Sequence, residues 1–133
     1  MAKTTPKYID GFVIAVPKKN VNAYRKMARE GADAWKKFGA LEYFECMGDD
    51  LKTKGGNGMP AAISFLALAN VKPSETVWFS FIVFKDKKHR DAVNKKVMSY
   101  FDKKYANAKD MPMPFDMKRM AYGGFNVAVH ESR

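Results

Sequence analysis

The nine residues TVWFSFIVF (76–84) decide the fold. Side chains on a strand alternate between its two faces. This run is apolar on both, so it reads as a central strand covered on each side. The next segment, DKKHRDAVNKKVMSYFDKKYA (86–106), changes period. Val93, Val97, Phe101 and Tyr105 recur every four residues, with Met98 and Tyr100 beside them, which is the buried stripe of a helix. Asp86 is placed to cap its first turn.

The same pair of elements occurs earlier. YIDGFVIAV (8–16) reads as a strand that stops at Pro17, and KKNVNAYRKMAREGADAWKKFG (18–39) reads as a helix. Its stripe is Val21, Tyr24, Met27, Ala28, Ala34, Trp35 and Phe38. Asn20 is expected to cap it, and Gly39 to end it in a left-handed turn. ALEYFECMG (40–48) alternates, with Leu41, Tyr43, Glu45 and Met47 on one face and Glu42, Phe44 and Cys46 on the other. AYGGFNVAV (121–129) reads as the last strand. LKTKGGNGMP (51–60) is a loop, and residues 61–75 read as a short strand or a helical turn. The order strand, helix, strand, strand, helix, strand predicts an α+β, ferredoxin-like split βαβ fold: one domain over 1–133, a four-stranded antiparallel sheet with two helices on one face.

Such a sheet has a bare second face, expected to carry Phe12 or Val13, Phe44 or Tyr43, and Trp78 or Phe79. Covering apolar surface is favourable by roughly 25 cal/mol per Å². A homodimer packed sheet to sheet would cover it. Two sheets closing into a shared α/β barrel would leave a pocket between sheet and helices in each subunit.

The chain has 133 residues, 47% of them apolar, and one cysteine, Cys46. That composition builds a core and allows no intrachain disulfide, so a reducing compartment, the cytoplasm, is expected. No apolar run has the length of a membrane span. The net charge of +10 is unevenly placed. Residues 1–39 carry nine bases against three acids, and residues 85–109 the same. The lysines outside the two apolar stripes read as solvated helix surfaces. Weak, nonspecific RNA binding by the basic helices is the alternative.

Chemistry-bearing motifs are sparse. Asp49 and Asp50 end the second strand on consecutive residues, so they point apart and suit a turn better than a metal clamp. His89 and His130 lack a second ligand at metal spacing. Cys46 lacks a CxxC partner and reads as a buried thiol. There is no phosphate-binding or dinucleotide-binding glycine motif, and no cofactor is implied. The best constellation is acid–base in type. Arg90, Asp91 and Asn94 open the second helix, with Arg90 and Asn94 on one face. Asp116, Lys118 and Arg119 precede the last strand, inside MPMPFDMKRMAYGGFNVAVH (111–130). An Arg90–Asp116 or Arg119–Asp91 ion pair is expected to lock that approach, which the prolines stiffen. Gly123 and Gly124 are expected to let the strand bend or lie close to another backbone.

Four stretches carry a resemblance: YIDGFVIAVP, FGALEYFECMGDD, VWFSFIVFKDKKHRDAVNKKVM and MPFDMKRMAYGGF. They resemble, in order and over most of the chain, the DUF1428 family of small bacterial proteins. The resemblance implies a dimeric α/β-barrel fold and no established reaction. The chain departs from the family pattern in its glycine-rich loop and residues 61–70, in a longer SYFDKKYANAKD stretch, and at Met117, where relatives often carry glycine. Three functional classes follow: a small-molecule binder or enzyme using the barrel pocket, an RNA-binding protein, and a structural or regulatory homodimer. The first is preferred.

Overall fold

The computed structural model describes residues 4–107 and 112–133. Four strands form one antiparallel sheet: β1 (Tyr8–Pro17), β2 (Glu42–Met47), β3 (Glu75–Phe84) and β4 (Ala121–Asn126), in the order β2-β3-β1-β4. The two ten-residue strands lie in the middle, with Tyr8 opposite Phe84 and Pro17 opposite Glu75. α1 (Val21–Lys37) follows β1, and α3 (Lys87–Lys104) follows β3. Between β2 and β3 there is one helical turn, α2 (Phe65–Leu68), capped by Ser64. The expected ferredoxin-like, α+β arrangement is the observed one.

Strand alternation decides what each face does. Tyr8, Ile14 and Val16 of β1 share the helix-facing side with Trp78, Ile82 and Phe84 of β3. They pack in two clusters, one with Ala34, Val93 and Val97, the other with Tyr24, Ala28 and Phe115. Tyr105 of the turn after α3 donates to Glu30 of α1, and Lys104 pairs with the same carboxylate at 3.3 Å, so the two helices are also tied at their polar edge.

The opposite face holds Val13, Phe44, Phe79, Phe81 and Phe125. Phe79 is 42% exposed and Phe125 60%. β3 is therefore central, but in the single chain only its helix side is fully covered. Phe65 of α2 meets Phe79 edge-on at 6.0 Å and screens part of the other side. Cys46 lies on this open face and is exposed, not buried, because its phase in β2 is that of Phe44.

Local signals were obeyed unevenly. Asp86 caps α3, accepting from the His89 amide at 2.7 Å, and Gly39 ends the α1 turn at φ 110°. Asn20 does not cap α1. A 3-10 turn, Lys18–Asn20, feeds the chain into the helix, and the Asn20 side-chain amide donates instead to the Pro114 carbonyl at 3.0 Å. β4 stops at Asn126, three residues short of expectation, since β1 begins at its partner Tyr8. The Val127 amide makes one further bond to the Lys7 carbonyl, and Val129 is 89% exposed.

The approach to β4 is held by an apolar anchor that the charges concealed. Phe115 is only 8% exposed and meets the Tyr24 ring edge-on at 5.7 Å. Asp116 then accepts from the Lys118 amide at 3.0 Å, capping a 3-10 turn, Met117–Arg119. The first Met-Pro step begins at Met111, outside the described residues. Of the two glycines, Gly124 allows a close approach. A Cβ on Gly124 would fall 2.3 Å from the Tyr8 hydroxyl oxygen, so only glycine lets that ring cross β4. Phe115→Ala should cost about 3–5 kcal/mol in a urea titration, as for a core aromatic. Met113→Ala, two residues away and exposed, should be close to neutral. Equal effects would remove Phe115 from the core argument.

Candidate functional site

Two carboxylates face the helix layer from the sheet, and their surroundings differ. Asp10 of β1 is 1% exposed. Arg90 reaches its Oδ1 at 2.7 Å, and the Asn94 amide donates to its Oδ2 at 3.2 Å. Both come from the first two turns of α3, four residues apart, as the helix period requires. Arg90 also donates to Tyr122 at 3.0 Å and to Asp91 at 2.8 Å, and its guanidinium lies 4.9 Å from the Tyr8 ring centre. Asn94 is oriented by Trp35 of α1, whose indole N–H donates to its Oδ1 at 2.9 Å. Every Asp10 oxygen is thus satisfied, and the network joins β1, β4, α1 and α3.

Glu45 of β2 lies toward the other end of the same face. Tyr24 donates to its Oε1 and Tyr43 to its Oε2, each at 2.7 Å, and Ser80 also donates to Oε1. Burial, reinforced by the Glu45 carboxylate, pushes the Tyr24 and Tyr43 hydroxyls well above the ordinary tyrosine value. Both therefore remain protonated donors. Above this group is a cleft of about 340 Å³ between α1 and the sheet, walled by Ala28, Ala32, Met47 and Trp78, with Arg25 and Arg29 along α1. The buried Trp78 indole N–H has no hydrogen-bond partner. Gly31 lets α1 come close: a Cβ there would sit 3.0 Å from the Tyr43 hydroxyl oxygen.

The residues expected to form an acid–base site are dispersed. Arg90 and Asn94 meet, but on Asp10 and not on Asp116. Arg119 pairs with Glu75 of β3 at 2.7 and 2.9 Å and donates to the Asn70 carbonyl at 2.6 Å, leaving Asp91 to Arg90. The reason is register: Glu75 begins β3, and the turn before β4 passes its end, whereas Asp91 lies beside the opposite end of β1. Lys118 is exposed, and Asp49 and Asp50 lie exposed in the loop after β2. His89 Nδ1 accepts from the Lys85 amide at 3.0 Å. Among the described residues, no group of three or more His, Cys, Asp or Glu could hold a metal ion.

Asp10, Glu45, Tyr24, Tyr43 and Ser80 were not singled out from the sequence. A signal was there. Asp10 shares the strand phase of Tyr8 and Ile14, Glu45 that of Tyr43 and Met47, and Ser80 that of Trp78 and Ile82. Each is a polar residue in an apolar phase, and such residues require partners.

The profile of the family described as "Protein of unknown function (DUF1428)" matches residues 7–117. The chain belongs to that family. Across 125 residues this DUF1428 chain is 40% identical to the uncharacterized protein YbaA of Escherichia coli strain K12, covering 94% of the chain and 99% of the relative. YbaA of Shigella flexneri matches equally. The crystal structure of a dimeric ferredoxin-like protein from an uncultured marine organism superposes with a TM-score of 0.54 at 9% identity, covering 96% of this chain and all of that one. At that identity the likeness shows the fold. No helix among the described residues is long and apolar enough to cross a membrane.

Two stability experiments separate scaffold from site. Arg90→Met leaves the Asp10 carboxylate buried without its cation and should cost about 3–5 kcal/mol. The double variant Asp10→Leu with Arg90→Met should regain much of that loss, and an unaffected single variant would show that the pair does not hold the fold. For Glu75, the hydrogen bonds from Arg119 draw the carboxyl down from 4.5 to about 2. A depressed folded-state pKa gives stability that is present above the unfolded value and lost as pH falls through the folded one. Arg119→Met should lower the urea midpoint at neutral pH and flatten the fall in stability between about pH 4.5 and about pH 2. An unchanged acid limb would mean that the pair contributes nothing.

Proposed function

We propose that this protein binds a small organic molecule in the cleft between α1 and the sheet, as a homodimer whose subunits pack through their open sheet faces. The observation that carries the binding reading is the Glu45 group. A carboxylate is gripped by three hydroxyls in an open cleft that also offers apolar surface from Ala28, Ala32, Met47 and Trp78, the mix of polar and apolar groups that ligand sites use. Asp10 is, by contrast, buried and paired with the Arg90 guanidinium, and it does not line this cleft. Asp49, Asp50, Asp91, Asp116 and Lys118 fall outside this reading, and Arg90, Asn94 and Arg119 enter it as scaffold.

The dimer reading rests on the row Val13, Phe44, Phe79, Phe81 and Phe125. An apolar surface of this kind is unusual on a monomer. The solved neighbour, described as dimeric, agrees with it. Nonspecific RNA binding draws less support. The four strands contribute no lysine or arginine, so the basic helices and the exposed aromatic face lie on opposite sides of the molecule. With a single, exposed thiol, the protein suits a reducing compartment, and we place it in the cytoplasm.

A fragment screen read by protein-observed NMR tests the site. Hits should move the amides of Ala28, Ala32 and Met47, and Ala32→Phe, which fills the cleft from its half-exposed rim, should abolish them. Hits that cluster elsewhere, or survive Ala32→Phe, would reject the cleft. Sedimentation at micromolar concentration tests the assembly: twice the 15.1 kDa chain mass is expected, falling to one chain for Phe79→Glu. A wild-type monomer would reject it.

A further inference from the structure

We infer that the cleft selects a small organic monoanion whose apolar body also carries a hydroxyl donor. This rests on the cleft being the binding site and adds the chemical class. The first argument is a count of lone pairs. A carboxylate offers about four acceptor positions, two on each oxygen. Glu45 Oε1 accepts from Tyr24 and Ser80, so both of its positions are taken. Oε2 accepts from Tyr43 alone. One acceptor position is therefore open on Oε2, on a group that lines the cleft. Tyr24 and Tyr43 keep their protons and stay committed as donors, so the group meets a ligand as an acceptor and matches a hydroxyl.

The second argument is charge. The lining holds two cations, Arg25 and Arg29, and one anion, Glu45. Arg25 makes no ion pair among the described residues. Arg29 has only an exposed contact with Asp33 at 3.7 Å, of the kind that contributes little and exchanges readily. The two arginines are one helical turn apart, on the same face of α1. A guanidinium fork matches a carboxylate bidentately, which makes a carboxylate the natural monoanion.

The third argument is size and surface. About 340 Å³ is near the lower end for ligand pockets, and Ala28, Ala32, Met47 and Trp78 give it apolar walls. A larger polyanion such as a nucleotide would meet Glu45 with like charge and overfill the space.

The probes are 4-hydroxyphenylacetate, phenylacetate, which lacks the donor, and 4-hydroxyphenylethanol, which lacks the charge. Binding is followed by the amides of Ala28, Ala32 and Met47 and by the Trp78 indole N–H signal in two-dimensional NMR. 4-Hydroxyphenylacetate should bind tightest, and each simplified probe should bind at least about tenfold more weakly, the order expected for losing a hydrogen bond to a charged group. Arg25→Gln, an exposed change that leaves the fold alone, should weaken both acids and leave the alcohol unchanged. Binding of the alcohol as tight as that of the acid, or acid affinity indifferent to Arg25→Gln, overturns the ligand class while the cleft remains a binding site. If only neutral fragments from the screen occupy the cleft, the class is again overturned. If neither probes nor fragments move the cleft signals, the binding reading itself falls and this inference with it.

Discussion

A carboxylate placed in the middle of a sheet, on the side that must be dry, sets much of the rest. An uncompensated charge there would be prohibitive, so Asp10 dictates what surrounds it. It draws Arg90 and Asn94 onto one patch of β1, which fixes the rotation of α3 as hydrophobic packing alone would not. Asn94 in turn fixes Trp35 and thereby the position of α1. Arg90 lies against the Tyr8 ring, and Tyr8 crosses β4 only because residue 124 has no side chain. One acid in β1 thus makes demands on both long helices and on the edge strand.

Glu45 obeys the same rule by other means. Its donors are three neutral hydroxyls rather than a guanidinium, so its charge is solvated but not cancelled. Charge-assisted hydrogen bonds of this type are strong and hold the carboxylate in one orientation. Neutral donors also leave its field directed into the cleft, where Arg25 and Arg29 supply the opposite sign. The difference between a scaffold and a site on this sheet is charge compensation and access. Asp10 is buried and its charge is met by Arg90, while Glu45 keeps an uncancelled charge and lines a cleft.

Element order and strand phase were legible because they are local. The stripes Val93, Val97, Phe101 and Tyr105, and the alternation of residues 40–48, needed no knowledge of partners. What was misread depends on chain segments distant in sequence. Asn20 looked like a cap, but its side-chain amide donates to the Pro114 carbonyl and its oxygen accepts from no helix amide. Cys46 looked buried because a strand thiol usually is, but its phase places it on the face the helices leave open. The cluster from Asp116 to Arg119 suggested a lock with α3, while the true partner, Glu75, lies at the far end of β3 and could be found only through the register. Phe115 was hidden among charges, though its function in the core is plain once Tyr24 faces it. The polar residues in apolar phase, Asp10, Glu45 and Ser80, were the most informative positions and the easiest to pass over, since each interrupts a run that otherwise reads simply as core.

The separation of charge from apolar surface is the last consequence of this phase pattern. Strand positions facing away from the helices are apolar, small or, at Glu42 and Glu75, acidic, while α1 and α3 carry the two basic clusters and Arg119 is paired with Glu75. A nucleic-acid platform needs bases stacking on aromatics and phosphates meeting cations on one surface. This molecule puts those elements on opposite sides, so a strand stacked on Phe79 and Phe81 would find no strand cation to neutralise it. A second copy of the same chain has no such conflict. It presents an equally apolar face, keeps both basic helix layers outward and far apart, and leaves each α1 cleft open to solvent on the outer side. The sheet face that is unsuited to RNA is therefore well suited to self-association, and the cleft that would hold a ligand is not consumed by it.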